Sequence, residues 1–309
     1  MKIGFLFAGQ GAQIAGMGKD FYESNPTFRQ HFDEAKIDYD LKDVCFNQQA
    51  TLDETEYAQS AIFAVSAAIH DCLSAEGIHP DCVAGLSLGE YSAYYAAKAY
   101  DFNTGLQITR ARGKIMANAL PSGTSAMAAI LMLEESVLQE VCDEVSTLGC
   151  CVIANYNAPG QLVISGDTIA VEKAMELSLD KGARKAIRLN VSGAFHSPLL
   201  KDASLEFRDF LSNFHFNMNE VPLISNCNAQ IANNETINLL SKQMVSPVYF
   251  ELSIKKMMEL GIDTFIEIGP GKTISAFVRK IDRSLRVYNI DSVATFNQVV
   301  STLKGENNE

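Results

Sequence analysis

The sequence of 309 residues predicts an α/β fold, in which a large domain with a parallel-sheet core is interrupted by a small antiparallel insert. Three observations carry that expectation. The chain opens on a short apolar run that ends in a glycine-rich loop. A second apolar run enters Gly85-Leu86-Ser87-Leu88-Gly89 and passes at once into a helix-forming segment. Between residues 122 and 192 the pattern follows a β-α-β-β-α-β order of its own, that of a ferredoxin-like split unit.

Composition sets the outer bounds. With 47% hydrophobic and 20% charged residues this is an ordinary globular chain, long enough to bury about 75% of its unfolded surface. No apolar run approaches the ~20 residues of a membrane span. The start, MKIGFLFAGQG, turns polar too soon for a secretory signal, so a cytoplasmic protein without a membrane partner is expected. Cysteines 45, 72, 82, 142, 150, 151 and 227 include no C-x-x-C pair and no Cys/His ligand spacing. They read as buried thiols in a reducing compartment, neither disulfides nor metal ligands. A net charge of −12 argues against nucleic acid as a partner.

Taken in order, Ile3–Ala8 is a central strand closed by Gly9. Residues 59–75 are apolar and Ala-rich, a buried helix. The glycine-flanked serine follows, then a helix from Glu90. Residues 103–119 form another helix, capped by Asn103 or Thr104 and carrying Arg110, Arg112 and Lys114. Leu120-Pro121-Ser122-Gly123 breaks the pattern. The insert then reads as strand 125–132, helix 134–147, a hairpin of 151–157 and 161–166, helix 168–181 and strand 184–190. It closes at Val191-Ser192-Gly193. The expected division is therefore a discontinuous large domain, 1–121 and 193–309, around an insert at 122–192. Beyond it come strand 221–226, helix 250–260, strand 264–268, a Gly269-Pro270-Gly271 turn, a helix from Thr273 and a weaker terminal helix.

The stretch at 83–97 has the form of a nucleophile elbow, which makes the large domain α/β-hydrolase-like. A serine on a tight strand-to-helix turn points its hydroxyl into a cleft, and flanking glycines supply the room. The N–H of Leu88 is placed to meet a developing oxyanion, with a helix N-terminus beneath it. A chance G-x-S-x-G is the bland alternative; strand before and helix after favour serine chemistry, hence acyl transfer to water or another acceptor. Five histidines are present. His70 lies on an Ala-rich helix, His79 precedes a proline, and His31 and His215 lack local support. His196, in Gly193-Ala194-Phe195-His196-Ser197-Pro198, sits on a small-residue loop where the insert rejoins the large domain, a reasonable place for a base.

Gly9-Gln10-Gly11 resembles a phosphate cradle, but Ile14 stands where a dinucleotide fingerprint needs its third glycine, and no Walker-type Gly-Lys-Ser/Thr occurs. The loop serves better as a second source of oxyanion N–H. Arg112 is either a solvated helix charge or a cleft arginine gripping a carboxylate through two parallel hydrogen bonds.

Together these stations resemble the malonyl-CoA:acyl carrier protein transacylase family of fatty-acid synthesis, and the related acyltransferase domains of polyketide synthases. The resemblance runs from Ile3 to about Arg286. Its stretches are FAGQGAQIAGMG at 7–18, AQSAIFAVS at 58–66, GLSLGEYSA at 85–93, RG at 112–113, GTSAMAAI at 123–130, ANYNAPGQ at 154–161, GAFHSPL at 193–199, SPV at 246–248 and IEIGPGK at 266–272. It implies Ser87 as nucleophile, His196 as base, and Gln10 and Leu88 as oxyanion donors. Arg112 would hold the malonyl carboxylate, with Gln59 near the cleft. Phe195 would leave little space for a methyl branch. The backbone carbonyl of Tyr249 would orient the histidine in place of an acid. Implied substrates are malonyl-CoA and the phosphopantetheine thiol of an acyl carrier protein, with no cofactor and no metal; a monomer is the expectation, though no residue pattern points to it. Three positions depart from the family pattern: Leu86 where histidine is usual, Ser60 for proline, and Tyr249 for glutamine or arginine.

The implied reaction is a two-step ping-pong exchange through malonyl-Ser87. Two basic groups flank the expected groove: Lys272, Arg279, Lys280, Arg283 and Arg286 on one helix and its exit, and Lys181, Arg184, Lys185 and Arg188 on the insert. They read either as a dock for an acidic carrier or as solvated faces. Rival functions are a stand-alone polyketide-type acyltransferase, a serine thioesterase or esterase with an acid between Ser87 and His196, and a non-catalytic nucleotide-binding module.

Overall fold

Two four-stranded sheets organise the chain in the computed structural model, which describes residues 1–306 apart from Ser192 and Asn234. Ser192, in the expected linker at the end of the insert, thus lies outside the described residues. The first sheet is parallel throughout, in the order β2 (Cys82–Gly85), β1 (Ile3–Phe7), β7 (Thr264–Ile268), β8 (Arg286–Ile290). Its central strands are apolar because both faces are covered. Along β1 the side chains alternate: Phe5 and Phe7 enter one core with Ile62, Val65 and Ile69 of the helix Thr55–Ala75, while Leu6 enters the other with Phe250, Ile254 and Met257. His70 packs into the first core, edge-on to Phe5 and Tyr95. All four strands end at one edge, where the loops after β1, β2 and β7 meet. In open parallel sheets that edge holds the ligand site.

The second sheet is antiparallel, in the order β4 (Cys151–Ala158), β5 (Gln161–Asp167), β3 (Ser125–Leu131), β6 (Lys185–Arg188), which is the ferredoxin-like arrangement. Helices Glu135–Glu144 and Thr168–Asp180 cover one face, packing Leu138, Val141 and Val171 on Ala128 and Ile130. Met127, Ala129 and Val163 turn the other way, towards the strand ends of the parallel sheet. A parallel bridge ties the two parts together: Tyr156 N–H donates to Val248 C=O, and Val248 N–H to Ala154 C=O, each at 2.9 Å.

Several local expectations change. The helix over 103–119 starts at Phe102 and is capped by Asp101, whose carboxylate accepts from Thr104 N–H at 2.8 Å. The expected strand 221–226 shrinks to single bridges at Leu223 and Ile224. Pro222 has no N–H for a ladder, and Asn226 turns away to brace the serine. Short helices across residues 19–53, helices Lys201–Leu211 and Thr236–Gln243, and strand β8 are additional to the expected elements; the helices are amphipathic, burying Phe28, Phe32, Phe207, Leu211 and Leu240. Seven cysteines are free, six buried and Cys150 half-buried. No helix among the described residues is long and apolar enough to cross a membrane.

Candidate active site

The turn after β2 takes its shape from two glycines. A Cβ on Gly85 would lie 1.9 Å from the carbonyl carbon of Gly89, and one on Gly89 would lie 2.0 Å from the Phe7 carbonyl oxygen. No other residue permits that approach. Between them Ser87 adopts φ +52°, a left-handed conformation costly for a residue with a side chain. Asn226 braces the turn, accepting Ser87 N–H with its Oδ1 at 2.8 Å and donating Nδ2–H to Gly85 C=O at 2.8 Å. The hydroxyl is thereby held up into a cavity of about 270 Å³ at the strand ends.

His196 faces it. Its Nε2 is 2.7 Å from Ser87 Oγ. Its Nδ1 lies 2.8 Å from the main-chain carbonyl of Gln243, so the ring carries its proton on Nδ1 and leaves Nε2 as the acceptor. Burial, followed by the positive charge of Arg112, pushes the imidazole pKa down to about 4. The carbonyl of Tyr249 is elsewhere, accepting Ser253 N–H in the first turn of the helix Phe250–Glu259, while its ring stacks on Tyr156. This corrects the expected orienting group. Gln243 ends the helix Thr236–Gln243, where carbonyls lack intrahelical donors; Tyr249 begins a helix, where they do not.

Arg112 is 1% exposed and lies over the Tyr91 ring at 4.9 Å, so the solvated reading of this residue is excluded. One guanidinium nitrogen donates to Gln59 Oε1 at 2.7 Å. The other donates to Gln243 Oε1 at 2.9 Å and reaches Ser87 Oγ at 3.4 Å. Its Nε has no partner among the described residues. A buried guanidinium held by two neutral amides has no carboxylate in direct contact among the described residues and is open to an anion.

Gln10 lines the same cavity, its side chain donating to Thr55 Oγ1 and accepting from Gln59. Neither its main-chain N–H nor that of Leu88 donates to an acceptor among the described residues. Phe195 and Leu86 line the cavity beside Ser87, and Asn155, Asn157 and Gln161 line it from the insert.

Three residues of the site escape sequence reading. Gln243, Asn226 and Glu90 are buried polar groups behind the serine. Glu90 accepts Asn226 N–H at 3.2 Å and Gln243 Nε2–H at 2.5 Å. Burial pushes its carboxyl pKa up to about 7, partly offset by those two hydrogen bonds. On a helix Glu90 looks like any solvated charge; only its place under the elbow distinguishes it.

A hydroxyl on an imidazole, two N–H groups and a buried cation beneath one groove are the equipment of a serine acyltransferase. The chain belongs to that class: the family model for the acyl transferase domain matches residues 4–306. Among its relatives is the malonyl CoA-acyl carrier protein transacylase of Bacillus subtilis (strain 168), 43% identical over 99% of this chain and 98% of that protein. The crystal structure of the transacylase of the same name from Clostridium perfringens matches with a TM-score of 0.96 at 38% identity, covering 99% of this chain and 98% of that one. A type II polyketide acyl carrier protein in complex with its malonyl-transacylase matches at 0.95 and 30% identity, covering 98% and 100%.

Proposed function

We propose that this chain transfers the malonyl group from malonyl-CoA to the phosphopantetheine thiol of an acyl carrier protein, supplying fatty-acid elongation. The observation that carries the reading is Ser87 Oγ, 2.7 Å from a base and 3.4 Å from a buried guanidinium. His196 Nε2 takes the serine proton as Oγ attacks the thioester carbonyl. The tetrahedral oxyanion rests on the N–H groups of Gln10 and Leu88, each worth about 3 kcal/mol in comparable sites. The imidazolium returns its proton to the departing coenzyme A sulfur, leaving malonyl-Ser87. A pantetheine thiol then gives its proton to His196, attacks the ester carbonyl and regenerates the serine. The buried imidazole, with a carbonyl rather than a carboxylate behind it, holds that proton weakly and passes it on.

Arg112 holds the malonyl carboxylate, with Gln59 steadying one end of the fork. An acetyl group leaves this cation unpaired in a closed site, which disfavours it. Phe195 narrows the space beside the acyl chain. The reaction uses no cofactor, since nucleophile, base, oxyanion donors and cation all come from this chain. Seven free thiols support a reducing, cytoplasmic setting.

The insert at 122–192 forms the roof of the groove over a discontinuous large domain, 1–121 and 193–309, a division supported by the two sheets and a separate apolar cluster within the insert. The carrier docks along the rim. Lys181, Arg188 and Arg286 are already paired with Glu140 and Glu144, Glu172 and Asp263. Lys272, Arg279, Lys280 and Arg283 on one bank, and Arg184 and Lys185 on the other, form no ion pair among the described residues. Lys280 Nζ reaches Met132 Sδ at 3.8 Å, so the first bank touches the insert.

Intact mass after incubation with malonyl-CoA tests the reading. A stable gain of one malonyl unit, absent in Ser87→Ala and discharged by holo carrier, is expected. Steady release of free malonate without discharge to carrier would make the chain a thioesterase instead.

A further inference from the structure

We infer that Glu90 and Gln243 form a brace that sets the pose of Arg112, and with it the preference for an acyl group bearing a carboxylate. The inference deepens the proposed reading and rests on Arg112 as the malonyl anchor. Glu90 is fully buried, does not line the cavity, and has no cationic hydrogen-bond partner among the described residues. A carboxylate in such a place is costly and calls for a role.

The geometry supplies one. The Gln243 amide has two unlike ends, and its surroundings decide which end meets the arginine. Nε2 faces three oxygens: Glu90 Oε2 at 2.5 Å, Ser87 C=O at 2.8 Å and Asn226 Oδ1 at 3.4 Å. Oε1 is therefore turned to Arg112 at 2.9 Å. A flipped amide would set N–H against guanidinium and oxygen against three acceptors. Of the three, Glu90 alone can carry a negative charge, and its bond is the shortest.

The relay also solves a problem of charge. A carboxylate in direct contact with Arg112 would occupy the fork that a malonyl carboxylate needs. Placed one amide away, Glu90 offsets the guanidinium charge when ionised, its carboxyl titrating at about 7, while leaving Nε without a partner among the described residues. Gln243 and Glu90 are thus positioning residues, acting on substrate through Arg112.

Kinetics with two donors, malonyl-CoA and acetyl-CoA, test this. Glu90→Gln has one acceptor oxygen for two donors, Asn226 N–H and Gln243 Nε2–H, so it sets N–H against one of them and loosens the hold on the Gln243 amide. Gln243→Leu removes the amide and keeps the main-chain carbonyl behind His196. Each is expected to lower the malonyl-to-acetyl ratio of kcat/KM at least ~10-fold, mainly through a higher KM for malonyl-CoA. The double variant should be no worse than Gln243→Leu alone, because one acts through the other. Equal losses for both donors, or additive effects, would overturn the brace. Arg112→Ala separates the two levels: if it shifts the ratio while the brace variants do not, the anchor stands and the brace fails. If it leaves the ratio unchanged, the anchor itself fails. Should Glu90→Gln not fold, the ratio in Gln243→Leu decides alone.

Discussion

The main-chain carbonyl of Gln243 stands 2.8 Å from Nδ1 of His196, on the ring edge opposite Ser87. The same residue therefore orients the base with its backbone and the substrate cation with its side chain. No acid needs to complete the pair. His196→Ala should lower kcat for malonyl transfer by roughly 10²–10⁴, with malonyl-CoA binding retained. A loss under tenfold would remove His196 as base.

The pH profile follows from that environment. Malonyl-CoA kcat/KM should fall as Glu90 takes up its proton below about 7. The imidazole, by contrast, stays neutral down to about pH 4, so kcat/KM for acetyl-CoA should remain flat through pH 6.5 and bend downward only well into the acid range. An acid limb centred at 6.5 with acetyl-CoA would contradict the buried, arginine-facing ring.

Stability carries the same two titrations with opposite signs. His196 is depressed in the native state, so its contribution is present above 6.5, the unfolded value, and lost as pH falls towards 4. Glu90 is raised, so its contribution is present below 4.5 and lost as pH rises towards 7. Plots of Tm against pH should lose the first slope in His196→Ala and the second in Glu90→Gln.

Arg112→Ala removes a buried charge partner, a change worth about 2–5 kcal/mol in comparable pairs. Malonyl transfer should fall by roughly 10² or more, while acetyl transfer falls less and becomes relatively favoured. Parallel assays with the two thioesters read this directly.

Gly85→Ala places a methyl 1.9 Å from the Gly89 backbone, which has nowhere to go. Destabilisation of about 3 kcal/mol or more and loss of acylation are expected, measured by denaturant melts and intact mass.

At the rim, Lys280→Glu with Arg283→Glu should raise KM for the carrier and flatten its salt dependence, leaving acylation of Ser87 by malonyl-CoA intact. Unchanged carrier kinetics would move the dock elsewhere.

Much of this was legible before folding because the signals are local. Strand β1 shows as a short apolar run, the elbow as Gly85 and Gly89 two residues either side of Ser87, and the insert as alternating and helical periods in a recognisable order. Those features depend on neighbours in the chain. Helix Pro26–Asp33 carries signals of its own, an Asn25 cap and Pro26 at its first position, whereas strand β8 at the sheet edge has only a partly buried pattern.

The sequence by itself determined the order of the insert's elements and of β1, β2 and β7, the turn that strains the serine and the residue types of a serine–histidine site, since each follows from backbone sterics and side-chain period. Only the tertiary structure decided which carbonyl meets His196, 47 residues away, and that Glu90 meets Gln243 across 153 residues. Hydrogen bonds between segments so distant are chosen by how helices and strands pack, and no local pattern encodes them.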